Sequence, residues 1–366
     1  MDESSGPCQA TRKIVVFVLP SFDGGGSQRV LLSLLRHLDR RRFRPCLVVF
    51  TSEGPLADEV PDDVECLVLG RARLRHAAPA LFFALRRLRP DVVFSTMGYV
   101  NLALLLMRLA LPKWARIVLR EPNTPSVSIP TLSLGRIIAA GYRYLYPRAD
   151  VIFCQSDIMA SELRTMFGVP AGLLVHLPNP VDEERLRIAA TPIHRTSGSG
   201  RRFVACGSLT YQKGFDRLID LFQKMGDEDR LDILGEGAER DSLQARIDQA
   251  DLTHRVVLQG FVDRPWPWFA GADALLISSR WEGQSNVALE ALACGAPLIA
   301  TPEAGGIAEV EALAPPGAAI VAALGEPFFA AMTAVLPRQV GLGPSLLPSA
   351  HGMSAVMQRF EEYLVE

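Results

Sequence analysis

Short unbroken apolar runs, each followed by a polar or glycine-rich loop and an amphipathic stretch, recur along the chain. The first is Lys13-Ile-Val-Val-Phe-Val-Leu19. It does not alternate between apolar and polar positions, as expected of a strand buried on both faces of a parallel sheet. Gly24-Gly25-Gly26 follows it, and Ser27 is placed to cap a helix. That helix carries Val30, Leu31, Leu34, Leu35 and Leu38 on one face. Further runs predict strands at 46–50, 64–69, 91–95, 115–119 and 151–154, with helices between them, including 78–88 and 134–145. A second series begins at 203–207 and continues through 231–234, 256–258, 274–277, 297–300 and 319–321. The stretch between the series, 183–200, ends Arg-Thr-Ser-Gly-Ser-Gly and has the composition of a linker. Two doubly wound α/β halves, at 13–182 and 201–348, facing each other across a cleft, are what this order predicts. A polar tail, 1–12, precedes them, and a last helix is predicted at 353–364.

Composition agrees with that division. A chain of 366 residues is long enough for two domains, and it is 49% hydrophobic and 21% charged, ordinary for large buried sheets. The net charge of −2 hides an asymmetry. Residues 1–180 hold 22 Lys/Arg against 15 Asp/Glu, and residues 181–366 hold 16 against 25. A basic first half suggests an anionic partner, such as a phosphate-bearing lipid or an anionic membrane surface. Arg40, Arg41 and Arg42, with Arg71, Arg73, Arg75, Arg86, Arg87 and Arg89, lie near Phe82, Phe83 and Leu88 and form the basic, partly apolar surface considered for it. Solvated arginines above a helix packed on its own sheet are the alternative. No nucleic-acid partner is expected. The six cysteines show neither C-x-x-C pairs nor metal-ligand spacing, and they read as reduced thiols of a cytoplasmic protein. The N-terminal apolar run is too short for a signal peptide, and the longest later run, from Leu102, is broken by Arg108. A cytoplasmic chain, peripheral at most on a membrane, is the expectation.

The chemistry concentrates in one stretch, from Arg280 to Thr301. Strand Ala274–Ile277 feeds a polar loop holding Glu282, Gly283, Gln284, Ser285, Asn286 and Val287. A helix follows, with Gly295 placed to end it in the left-handed conformation and Pro297 to forbid its continuation. Glu290 falls on that apolar helix, where a carboxylate is costly without a partner. Amides at the helix start can face an anion or a cluster of hydroxyls.

Glu282-Gly283, Asn286, Glu290-Ala291, Gly295 and Pro297 resemble, in order, the E-G-x-x-N-x-x-x-E-A-x-x-x-G-x-P signature of the retaining glycosyltransferases of family 4, which have the GT-B fold. The resemblance implies that Glu282 and the loop from Gly283 to Val287 hold the donor sugar, and that Glu290 takes the ribose hydroxyls. A second signature is similar to Gly207-Ser208-Leu-Thr-Tyr-Gln-Lys213-Gly214. In the family an arginine and a lysine there grip the donor diphosphate. Lys213 fits, whereas Ser208 stands in the arginine place, and Arg29 is a candidate to compensate. Gly235 and the pair Phe261 and Val262 fall where the family holds the base, and Gly25 and Gly26 where a glycine loop closes over donor phosphates or acceptor. The family often carries a histidine after the fourth or fifth strand. Here the strand ends in Arg120-Glu121-Pro-Asn123, similar to a motif of relatives that extend lipid-linked oligosaccharides, which implies that Arg120, Glu121 and Asn123 lie near the acceptor or the donor sugar; Arg29 is a further acceptor-side candidate. Asn179-Pro-Val-Asp182 resembles the N-x-V-D that closes the family's first domain, and the last helix would cross back onto that domain.

The implied activity is retaining transfer of a sugar from a nucleotide-diphosphate sugar, UDP-sugar favoured, to a lipid-linked saccharide or other glycan acceptor. Lys213 and Glu282 would be the catalytic residues. No cofactor and no metal are expected, since no D-x-D-like carboxylate cluster lies near the site. Sugar-nucleotide epimerases and phosphorylases share the fold, and the uncharged Ser208 leaves open an inactive donor-binding subunit.

Overall fold

The computed structural model describes residues 12–108, 110, 115–132, 134–191, 200–338 and 341–365. The expected tail lies outside them except for Arg12, as does 192–199 of the expected linker. Two parallel sheets organise the rest. The first contains β1 (Lys13–Leu19), β2 (Phe43–Val49), β3 (Glu65–Val68), β4 (Val92–Ser95), β5 (Arg116–Arg120), β6 (Val151–Cys154) and β7 (Leu174–His176), in the order β3-β2-β1-β4-β5-β6-β7. The second contains β8 (Arg202–Cys206), β9 (Arg230–Leu234), β10 (Val256–Gly260), β11 (Ala274–Ile277), β12 (Leu298–Ala300) and β13 (Ala319–Val321), in the order β10-β9-β8-β11-β12-β13. In both, the order turns back beside the first strand, between β1 and β4 and between β8 and β11. Loops that leave the carboxyl ends at such a turning point splay to opposite faces and open a crevice. The Gly24–Gly26 loop follows β1, the Gly207 loop follows β8 and the Glu282 loop follows β11, so all three open at such points.

Successive side chains of a strand point to opposite faces, which explains the unbroken apolar runs. Val15, Phe17 and Leu19 enter one core cluster, while Val16 and Val18 enter another. Phe203 and Ala205 divide from Val204 in the same way in the second sheet. The last helix, Met353–Val365, sends Val356, Met357, Phe360 and Leu364 into the core of the first sheet. There the Phe360 ring lies 5.0 Å from Phe94 and 5.6 Å from Phe153.

Several local expectations are corrected. Ser27 is not the cap of the first helix, which runs Gly26–His37 behind an extended Gly25. Ser27 lies within the first turn, and its carbonyl accepts from Thr96 Oγ1 at 3.2 Å. The helix expected from 78 begins a turn earlier, at Leu74, with Pro79 inside it. Its apolar face, Ala77, Leu81, Ala84 and Leu85, is buried on the first sheet, so that face is not available to a membrane. Arg40, Arg41 and Arg42 are likewise engaged, by Asp63, Asp39 and Glu361. Residues 183–189, expected as linker, form a helix. Asp182 caps it, accepting from the Arg185 amide at 3.2 Å, and Glu183 and Glu184 suit the positive end of its dipole. Arg187 fastens it to the second half through the carbonyls of Ala293 and Gly343, at 2.6 and 2.9 Å. β7, a three-residue strand at the edge of the first sheet, is not among the strands that the apolar runs predict.

Candidate functional site

A cleft of about 590 Å³ lies between the carboxyl ends of the two sheets. From the second half it is lined by Ser208, Lys213, Gly235, Phe261, Val262, Glu282, Gly283, Gln284, Ser285, Asn286, Val287 and Glu290. From the first half come Gly25, Gly26, Arg29, Arg120 and Asn123. Every expected site residue but Glu121 therefore reaches it. Glu121 faces away: its carboxylate accepts from the hydroxyls of Tyr142 and Tyr146 at 2.9 and 2.6 Å, and burial raises its pKa to about 7 against those bonds. It supports the first half from within and is corrected from the acceptor side.

The loop after β8 shows why its residues are spaced as they are. Gly207 has φ +155°, and a Cβ there would lie 3.0 Å from Lys213 Cε, so the lysine stem passes close over the glycine. Gly235 has φ +147°, and its Cβ would fall 1.9 Å from the Gly207 carbonyl oxygen. Only a bare backbone lets the two loops approach this closely. Lys213 Nζ then meets Glu282 Oε1 at 2.9 Å, and Ser279 Oγ donates to the same oxygen at 2.5 Å. The lysine loop and the glutamate loop thus join in one ion pair, buried on the glutamate side and half-buried at the lysine. Ser208 is exposed at the cleft wall.

Glu290 finds the partner its apolar helix demands. Trp266 Nε1 donates to its Oε2 at 3.0 Å. Burial nevertheless raises the carboxyl pKa, with the Trp266 bond and the charge of Arg29 acting against it. Arg29 projects from the first helix toward this group and lies 3.6 Å from Asp263 of the other half. No side chain caps the helix Asn286–Ala293, whose first residues line the cleft. Its first amides are thereby left for a ligand's anionic or hydroxyl oxygens.

Asn179, expected only as part of a domain-closing motif, joins the two halves at the site. Its backbone N–H donates to Gln284 Oε1 at 2.6 Å, its Nδ2 donates to Asn286 Oδ1, and its Oδ1 accepts from Arg120 Nη2. Asn286 in turn donates to the Gly26 carbonyl at 3.2 Å. Gly283 is pressed against the first half, where a Cβ would lie 2.6 Å from the Pro122 carbonyl oxygen. Thr124 Oγ1 donates to the Glu282 carbonyl at 3.0 Å beside it. The signature loop is therefore held from both sides. Gln155 and Trp266, also in the cleft wall, gave no signal in sequence because an isolated glutamine or tryptophan carries none. Outside the cleft lining, Asp157, His176 and Glu309 form the single group of metal-ligating type among the described residues, with ligand atoms within 4.8 Å. The imidazole lies 3.6 Å from Asp157 on one side and 3.4 Å from Glu309 on the other, and so bridges the halves.

Comparisons with known proteins bear on both halves. The family described as "Glycosyltransferase Family 4" matches residues 24–185, and "Glycosyl transferases group 1" matches residues 200–336. The N-acetylgalactosamine-N,N'-diacetylbacillosaminyl-diphospho-undecaprenol 4-alpha-N-acetylgalactosaminyltransferase of Campylobacter jejuni is 27% identical over 310 residues, 82% of this chain and 83% of that protein. An amylovoran biosynthesis glycosyltransferase of Erwinia amylovora is 26% identical over 293 residues, 79% and 80% of the two chains. Among solved structures, the Anabaena protein HepE in complex with UDP and glucose superposes with a TM-score of 0.75 at 18% identity, covering 97% of this chain and 100% of that one.

Proposed function

Since this chain belongs to the glycosyltransferases of the GT-B fold, we propose that it moves a sugar, with retention at the anomeric carbon, from a UDP-sugar to a lipid-linked saccharide or related glycan. The observation that carries the proposal is the Lys213–Glu282 pair, held in the same cleft as Glu290. Glu290 and Trp266 would bind the nucleoside, with Glu290 accepting from the ribose hydroxyls. Lys213, Arg29 and the amides of the helix after Ser285 would surround the diphosphate. The positive charge of Arg29, reaching toward Glu290, supports it as the substitute for the cation missing at Ser208. Glu282 would accept from hydroxyls of the transferred sugar. As the bond from the anomeric carbon to the leaving diphosphate oxygen breaks, negative charge grows on that oxygen, and fixed cations and amides stabilise it. The acceptor hydroxyl attacks from the same face and passes its proton to the departing diphosphate. UDP enters this reading because HepE was solved with it, and a lipid-linked acceptor because the Campylobacter relative is named for one.

Incubation with UDP-sugars and a diphospho-lipid saccharide should give a product of unchanged anomeric configuration by NMR. The rate should persist in excess EDTA, since Glu282 and Glu290 are engaged by Lys213 and Trp266, and the one group of metal-ligating type among the described residues lies outside the cleft lining. Loss of activity in EDTA with recovery on manganese would reject the metal-independent mechanism. Binding of UDP without any turnover would make the chain a donor-binding subunit.

Among the described residues no helix is long and apolar enough to cross a membrane. A lipid-linked acceptor would be met at the membrane surface. The face suited to that is the helix Gly135–Leu145, where Ile137 and Tyr144 are each 67% exposed, Leu134 is exposed beside them, and Arg136 and Arg143 flank them. An amphipathic helix of this kind lies in the interface of an anionic bilayer. The protein should float with phosphatidylglycerol vesicles at low salt and detach as salt rises. Ile137→Glu with Tyr144→Glu should abolish flotation. Failure of the parent protein to float would direct the search to an acceptor free in solution.

A further inference from the structure

Three cations line the cleft, and two of them have a carboxylate partner: Lys213 has Glu282 and Arg29 has Asp263. Arg120 has none among the described residues. It stands at the carboxyl end of β5 and is only 1% exposed. One arm of its guanidinium, Nη2, donates to Asn179 Oδ1, a neutral amide. The other, Nη1, is buried and has no hydrogen-bond partner. The adjacent Glu121 makes no hydrogen bond or ion pair with it, since its carboxylate is turned to Tyr142 and Tyr146. Burial lowers the Arg120 pKa to about 10, against the pull of the Glu121 charge.

A structural role would be to hold Asn179 in place. One bond to a neutral amide does that, and a glutamine would serve without burying a full charge. Leaving a buried charged donor unmade is costly, and the cost is accepted where a ligand completes it. The guanidinium is planar and presents paired donors that match the oxygens of a carboxylate or phosphate. Arg120 shares the cleft wall with Asn123, Gln155 and Gly283, on the side of the first sheet and next to the Glu282 loop. That is where the transferred sugar and the acceptor would meet.

Resting on the reading above, we propose that Arg120 is a specificity-determining residue that receives an anionic oxygen of a substrate through its free Nη1. The shared chemistry is an oxyanion at the sugar end of the cleft. Its two sources are a carboxylate on the transferred sugar, as in a uronic acid, and a phosphate on the acceptor.

Binding titrations on the full chain distinguish them. UDP-glucuronate is compared with UDP-glucose, and a short-chain polyprenyl diphosphate saccharide with the same saccharide as an uncharged glycoside. The parent protein should prefer the anionic member of one pair by about tenfold or more, the scale of one charge-assisted hydrogen bond. Arg120→Gln should erase that preference, and Arg120→Lys should restore part of it. Preference within the first pair assigns the carboxylate, and within the second the phosphate. The comparison on the parent protein stands even if a variant fails to fold. Equal binding within both pairs overturns the proposal, as does a preference that survives Arg120→Gln. UDP lacks the group and reports the donor site alone. If neither UDP nor GDP binds the parent protein, the glycosyltransferase reading falls and this one with it, whereas UDP binding without any anion preference removes Arg120 only.

Discussion

Lys213→Ala should lower turnover by about 100-fold or more, the scale set by removal of one preorganised donor from a developing oxyanion. The lysine is held where the proposed role needs it. Its stem crosses the bare backbone of Gly207, and its ammonium meets Glu282 Oε1 at 2.9 Å. The same pairing gives the substitution a second effect. Glu282 is 7% exposed, and without Lys213 it keeps only the Ser279 hydroxyl among its side-chain partners. An unpaired buried carboxylate destabilises its surroundings, so the melting temperature has to be measured beside the rate. A transition-state role predicts that kcat falls by a larger factor than the affinity for the donor does. Turnover within about threefold of the parent protein would remove Lys213 from the mechanism.

Glu290→Gln should weaken nucleotide diphosphate binding by roughly 1.5–3 kcal/mol, about 10- to 150-fold, while the fold survives. The fold is spared because a glutamine oxygen can still accept from Trp266 Nε1, as the carboxylate does at 3.0 Å. What would be lost, on the proposed reading, is the charge that strengthens bonds from the ribose hydroxyls. A pH dependence follows. Burial raises the Glu290 pKa above its ordinary 4.5, so the carboxylate is protonated earlier than usual as the medium is acidified. Affinity for the nucleotide in the parent protein should therefore fall as pH drops toward that raised value. The glutamine variant, already neutral, should lack this component. Calorimetric titration of UDP across the acid range reads both effects, and equal affinities for the two proteins at neutral pH would break the assignment.

Much of the architecture was legible because parallel strands buried on both faces must be apolar without alternation, and the loops at their carboxyl ends must be glycine-rich or polar. The runs at 13–19 and 203–207 needed no tertiary information. The second-half site was legible for a related reason. Gly235 and Gly283 stand where backbone meets backbone, at approaches no side chain would permit, and Gly207 stands where the Lys213 stem crosses, so these positions show in the sequence as glycines. Gly295, with φ +78°, ends its helix in the left-handed conformation for the same kind of reason.

What the tertiary structure alone decided lies mostly in the first half and at the seam. Arg120 and Glu121 are neighbours in sequence and were assigned together, but successive residues at a strand end point to opposite faces. One therefore enters the cleft and the other the tyrosine pair. The basic helix above the first sheet carried an apolar face that periodicity identified, but periodicity cannot say what covers that face. Leu81 and Leu85 are covered by the protein itself, while Ile137 and Tyr144, on another amphipathic helix, are left exposed. Asn179 shows the limit most plainly. Its partners, Arg120, Gln284 and Asn286, lie as far as 107 residues away along the chain, and local sequence carries no trace of such a bond. By itself the chain determined two facing sheets and the loops that open between them. The folded structure decided which side chains meet across the cleft, because those meetings depend on how the two halves are set against each other.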